Sequence, residues 1–257
     1  MNYAKIPKET RIVDPRCAPF FYSGTRESVL LLHGYTGTPY DMRYLAERLS
    51  QQKYTVYVPR LPGHGTNRRD FLQSKHDDWL REALDGYLTL LRLEKPVYVC
   101  GLSMGGVLAL LLAEKFPIRK LCLCAPAVIV KNPVMKWTPF VKYFLKTSKR
   151  NHVEYQEDFL NVLHREYWSD HLIEKLADLR RLQNLCIKML ENVTSDCLLI
   201  LARKDTVIPT DVSELLRTRT RAHSLETRVL EESGHVILND CEKETAADLI
   251  LRWLGAD

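Results

Sequence analysis

The sequence predicts an α/β fold: a mostly parallel central sheet with helices on both faces and a helical cap inserted into the series. Three observations predict it. Short apolar runs alternate with segments of helical period along most of the chain. The alternation stops near residue 127 and resumes near 195. A chain of 257 residues, 46% hydrophobic and 27% charged, suits one large globular unit with a sizeable core.

The elements follow in order. SVLLLH (28–33) is a short apolar run that reads as a buried strand. Thr38, Pro39 and Asp41 then supply an N-cap, a proline at the first helical position and a capping-box acid, so a helix is predicted over 39–51. TVYVP (55–59) is a second strand closed by Pro59, and LPGHGT (61–66) is a turn-rich loop. Trp79, Leu80, Leu84, Tyr87, Leu88 and Leu91 give 77–93 a helical period. PVYVCG (96–101) and RKLCLCA (119–125) are strands around the apolar helix 104–116. After the interruption come the strand 196–202, a helix near 211–218, the strand 225–231 and a last helix over 242–254. Strands alternating with helices predict a parallel sheet covered on both faces. Residues 1–126 and 195–257 therefore form the core, and 127–194 the cap.

The bulk properties exclude several functions. A net charge of +5 is modest for this length, and no zinc-finger or RNP-like pattern is present, so nucleic acid is not an expected partner. Seven cysteines at irregular spacing read as reduced thiols. Cys100, Cys122, Cys124 and Cys197 sit in apolar runs, where a thiol behaves as a small hydrophobe. Cys122 and Cys124 do not form a CxxC pair, and no histidine pair completes a zinc site. The polar start MNYAKIPKETRIVDPR has no signal-peptide core, and no apolar run spans a membrane. A cytoplasmic location is expected.

The chemistry is carried by Gly101-Leu102-Ser103-Met104-Gly105, a GxSxG motif between a predicted strand and a predicted helix. That context builds a nucleophile elbow, a sharp turn that exposes a strained serine at a helix N-terminus. A serine hydroxyl needs a base. His235, in SGHV after the last strand, is the best placed of eight histidines. His33 and His64 precede the serine; His152, His164 and His171 lie in the cap; His223 precedes the last strand. The acid that orients the base should follow the preceding strand, where ARKDTVIP places Asp205. Asp211 fits a helix start better, and Asp240 lies beyond His235. An oxyanion needs two amide donors: Met104, directly after the serine, and Tyr35, in the HGYTG loop.

Seven stretches, PFFYSG, LLLHGYTGTPYDMRYLAERL, PRLPGHGT, DDW, GLSMGG, ARKDTVIP and SGHVI, together resemble the bacterial carboxylesterase and monoacylglycerol lipase branch of the α/β-hydrolase superfamily. They span nearly the whole chain outside the cap. The resemblance implies the α/β-hydrolase fold. It gives Ser103, Asp205 and His235 the triad roles and Tyr35 and Met104 the oxyanion roles. PGHG, with His64 and Gly65, would be a structural turn. No metal or organic cofactor is implied. The expected reaction is hydrolysis of a small ester, short- to medium-chain acyl or monoacylglycerol, through an acyl-enzyme. An acyltransferase or thioesterase would use the same triad, and a non-catalytic ligand-binding module would use the same fold.

The cap matches no family pattern. Thr138-Pro139 predicts a helix to about 147, with Phe140, Val141, Phe144 and Leu145 on one face and Lys142, Lys146, Lys149 and Arg150 on the other. No acid occurs from Lys131 to Arg150. Such a basic amphipathic helix suits contact with an anionic lipid surface, or simply a solvated lysine face. Tyr155, Phe159, Tyr167 and Trp168 read as cap core or as an acyl tunnel lining. Leu172, Leu176, Leu179, Leu182, Leu185 and Met189 form a packing stripe.

Overall fold

The computed structural model describes residues 15–149 and 170–256. His152, His164, Arg150 and the aromatic set from Tyr155 to Trp168 lie outside the described residues, as does most of the polar N-terminus.

Seven strands form the main sheet: β1 (Phe20–Tyr22), β2 (Ser28–Leu32), β3 (Thr55–Val58), β4 (Val97–Leu102), β5 (Lys120–Cys124), β8 (Asp196–Ala202) and β9 (Ser224–Leu230). Their spatial order is β1-β3-β2-β4-β5-β8-β9. Only β1 is antiparallel, pairing Phe20 with Val58. The central strands β2, β4 and β5 are buried at every position. This is why their sequences are continuous apolar runs rather than alternating ones. From β2 the chain steps one way to β3 and the other way to β4, so a crevice opens at the carboxyl ends of these strands.

The helices cover both faces. The predicted helix at 39–51 is two pieces, a 3₁₀ turn over Pro39–Met42 and α1 (Arg43–Gln51). The expected capping box is present, with Asp41 accepting the Thr38 amide at 3.0 Å. A short helix α2 (Arg68–Gln73), capped by Asn67, follows the PGHG turn, which the sequence pattern did not reveal. In α3 (His76–Leu91) the buried face is Trp79, Ala83, Gly86, Tyr87 and Leu90, while Leu88 and Leu91 are exposed. The helical period holds, but Ala83, Gly86 and Leu90 take inward positions beside Trp79 and Tyr87, and Leu88 and Leu91 face solvent. Helix α4 (Met104–Lys115) is buried from Met104 to Ala113, all round, as its uniformly apolar sequence requires.

The interrupted stretch differs from expectation in two ways. The helix foreseen over 138–147 is one turn, α5 (Thr138–Val141). Two short strands, β6 (Thr147–Lys149) and β7 (Asp170–Leu172), then pair antiparallel where only helices were expected. Ladder bonding to partners 21 to 25 residues away overrides local helical preference. The stripe in 172–189 does form a helix, α6 (Ile173–Met189), with Leu179 and Leu182 buried but Leu185 exposed. The chain closes with α7 (Val212–Arg219) and α8 (Lys243–Gly255).

Helix α6 is tied down by a buried ionic cluster. Lys175 is fully buried; its ammonium meets Asp178 at 2.6 Å and donates to the Ser74 carbonyl. Asp178 also meets the His76 ring at 3.1 Å and Arg181 at 3.4 Å. Lys175→Met, which strands Asp178 without its closest cation, is expected to cost about 3 kcal/mol in urea unfolding. Lys175→Met with Asp178→Leu should recover part of that loss. A single-variant loss below about 1 kcal/mol would show that the cluster does not hold α6.

Candidate active site

The sharpest local feature is at the end of β4. Ser103 has φ 55° and ψ −115°, a left-handed conformation that a serine adopts only under constraint. The constraint is steric. A Cβ on Gly105 would lie 2.0 Å from the Leu32 carbonyl oxygen, and one on Gly101 would lie 2.2 Å from that of Gly105. Only glycines let the strand turn into α4 so abruptly. The Ser103 amide donates to the Cys124 carbonyl at 2.9 Å, and its own carbonyl accepts from Ala127 at 3.0 Å, which fixes the turn.

Two other loops converge on the hydroxyl. Asp205 follows β8 and is buried. Its Oδ1 accepts the amides of Val207 (2.6 Å) and Ile208 (2.9 Å), leaving Oδ2 for His235 Nδ1 at 2.8 Å. A carboxylate can only accept, so Nδ1 carries the proton. His235 Nε2 is then the acceptor for the Ser103 hydroxyl, at 2.9 Å. Burial by itself raises the Asp205 pKa. The His235 hydrogen bond and charge, with the two amides, outweigh it and hold the carboxyl below its ordinary value.

The Gly34–Thr36 loop lies against the same serine: a Cβ on Gly34 would be 3.2 Å from that of Ser103. The loop is braced by aromatic rings. Tyr35 packs edge-on against Phe71 and Trp79 at 5.6 and 6.4 Å, and Phe71 stacks on Trp79. Trp79 in turn donates to the Pro62 carbonyl at 3.0 Å. Met104 is the first residue of α4, where an amide has no acceptor within its own helix.

The sequence matches the Alpha/beta hydrolase family over residues 29–248. The chain belongs to that family. It is 30% identical over 254 residues to a carboxylesterase of Bacillus subtilis, covering 95% of this chain and 98% of that one. It is also 46% identical over 99 residues, 38% of this chain and 40% of the other, to a thermostable monoacylglycerol lipase of Bacillus sp. (strain H-257). A solved structure from work on the metagenome-derived lipolytic enzymes LipS and LipT superposes with a TM-score of 0.84 at 27% identity, over 93% of this chain and 97% of that one.

In this member of the family the rival residues have other occupations. Asp211 precedes α7, and Asp240 accepts the Gly234 amide at 2.7 Å instead of facing the His235 ring. Sequence reading missed Glu242. Its carboxylate accepts the amides of Glu231, Glu232 and Ser233 and the Ser233 hydroxyl, so with Asp240 it pins the loop that carries His235. Arg203–Glu231 and Lys204–Glu232 ion pairs join that loop to the one bearing Asp205. Lys131 adds a third brace, donating to the Asp205 carbonyl at 2.5 Å.

His33 and His64 are wholly buried. His33 Nδ1 donates to the Gly34 carbonyl and Nε2 accepts the Leu61 amide at 3.1 Å. His64 Nδ1 is hydrogen-bonded to the Pro62 carbonyl. Burial lowers the His33 pKa to about 4 and drives that of His64 well below its ordinary value, so both stand as neutral struts. Because their folded values are depressed, protonation favours the unfolded chain: their stabilisation is present above pH 6.5 and is lost as pH falls toward 4. For His33 this amounts to about 3 kcal/mol. Asp41 opposes it, since burial raises its pKa to about 6 and its protonation below that value favours the fold. His33 and Asp41 nearly cancel, so the fall in melting temperature expected from pH 6.5 to 4 in thermal melts comes mainly from His64. A flat profile would contradict the neutral-strut reading.

Proposed function

We propose that the protein is a serine carboxylester hydrolase acting on short- to medium-chain acyl esters or monoacylglycerols. The observation that carries this is the unbroken line from the Ser103 hydroxyl through the His235 ring to the Asp205 carboxylate. In the proposed cycle Ser103 Oγ attacks the ester carbonyl while His235 Nε2 takes its proton. Asp205 steadies the resulting imidazolium. The amides of Met104 and Tyr35 receive the oxyanion. His235 then gives its proton to the leaving alkoxide, which departs as the alcohol. Water, deprotonated by the same nitrogen, attacks the acyl-enzyme; the acid leaves and Ser103 regains its proton. The two Bacillus relatives, one a carboxylesterase and the other a monoacylglycerol lipase, support this substrate class. An assembled triad argues against a silent binding module.

Residues 127–194 are taken as the cap over the acyl site. Gln183 of α6 reaches the Ala127 carbonyl at 2.7 Å, one hydrogen bond away from Ser103. The cap exposes Trp137, Phe140, Tyr143 and Phe144, the last 91% accessible, beside the exposed Lys136 and Lys146. That aromatic and basic surface suits contact with anionic lipid. Seven free cysteines fit a reducing compartment, hence the cytoplasm. Among the described residues no helix is long and apolar enough to cross a membrane.

A hydrolysis panel from acetyl to palmitoyl p-nitrophenyl esters, with monoacylglycerols and acyl thioesters as further arms, tests the reading. The expected kcat/KM is highest for oxygen esters of short to medium chain. A preference for thioesters, or acyl transfer to added alcohols outrunning hydrolysis, would replace it. Co-sedimentation with anionic but not neutral liposomes is expected for the lipid contact, and equal, negligible binding to both would end it.

A further inference from the structure

Three thiols that the proposed chemistry does not use converge behind the elbow. Cys100 and Cys122 are register partners on neighbouring parallel strands, and Cys124 lies two residues beyond Cys122, so all three point to one face of the sheet. Their sulfurs lie within 4.8 Å of one another, with Cys122 and Cys124 at 4.0 Å. All are buried to within 1%. Lys120 shares that face and binds the carbonyls of Trp253, Leu254 and Ala256 at the end of α8. The spacing in sequence concealed the group, because one of its three members comes from a different strand.

A trigonal site with metal–sulfur bonds of about 2.3 Å holds its sulfurs about 4.0 Å apart. The Cys122 and Cys124 sulfurs stand at that spacing and the Cys100 sulfur lies within 4.8 Å of both, so a small inward movement of the strand ends closes the site. Among the described residues no fourth ligand joins them, which disfavours tetrahedral zinc and suits a soft cation content with three sulfurs. We propose that Cys100, Cys122 and Cys124 form an inhibitory site for a thiolate-seeking monovalent cation of the Cu(I) type. On binding, one thiol gives up its proton to solvent and the cation's charge offsets that thiolate, while the other two sulfurs ligate as neutral donors. The link to turnover is direct: the Cys124 carbonyl accepts the Ser103 amide at 2.9 Å. Drawing the sulfurs onto a cation shifts the strand end that fixes the nucleophile. The binding claim stands apart from the hydrolase reading; the inhibitory claim rests on it.

The test uses the full chain carrying Cys241→Ser, which removes the exposed thiol, reduced and under anaerobic conditions. Cu(I) is delivered from its bicinchoninate complex. One equivalent should be retained, with three sulfur neighbours in X-ray absorption, and p-nitrophenyl ester turnover should fall at least tenfold. Cys122→Ala and, separately, Cys124→Ala, each confirmed folded by circular dichroism, should weaken retention at least a hundredfold. No uptake, a two-sulfur environment, or equal retention by the folded variants would overturn the site. Retained copper with unchanged turnover would overturn its inhibitory role without touching the triad.

Discussion

Ser103→Ala is expected to lower ester turnover by about 10⁶-fold while leaving the thermal melt nearly unchanged. The serine contributes only its hydroxyl at this position. Its backbone geometry is imposed by Gly101, Gly105 and the hydrogen bond its amide donates to the Cys124 carbonyl, none of which the substitution touches. Alanine at φ 55° is strained no more than serine. The loss should also be non-additive. A Ser103→Ala, His235→Ala double variant should be no slower than either single variant, because every proton the imidazole moves belongs to the acyl-enzyme route that begins with that hydroxyl. Steady-state kinetics with p-nitrophenyl butyrate, alongside circular dichroism, read both. Activity above background in a folded Ser103→Ala protein would mean that another nucleophile does the work.

Asp205→Asn should be the next most damaging change, about 10⁴-fold in kcat. The reasoning is a matter of donors. The Val207 and Ile208 amides will claim the oxygen of the new side chain, as they claim Oδ1 now. Its amino group is then turned toward His235 Nδ1. That nitrogen must become an acceptor, and the ring proton moves to Nε2, facing Ser103. The histidine keeps its place and loses its function as a base. A loss smaller than tenfold, with the fold intact, would remove Asp205 from the relay.

Much of this arrangement was legible in the chain. The strand-to-helix alternation and the GxSxG turn depend on local signals, and the structure has both; it also brings Ser103, His235 and Asp205 side by side. What escaped the sequence is what depends on distant partners. The Thr138-Pro139 start is genuine, yet its helix is one turn long, and residues 147–149, which the pattern reads as helix, pair with 170–172. Nothing in the local sequence marks Lys175 for burial; it is buried where the Ser74 carbonyl and the Asp178 carboxylate meet its ammonium. Glu242 falls at the first position of the predicted last helix, and its carboxylate gathers three amides of the loop before His235. Trp79 reads as core and also braces the Tyr35 loop.

The most direct test is covalent. A fluorophosphonate is attacked only by a serine whose proton is taken by a neighbouring base. Intact-mass analysis after treatment should show one adduct per chain, and peptide mapping should place it on Ser103; His235→Ala should label far more slowly. No adduct, or a single adduct on a different serine, would contradict the account.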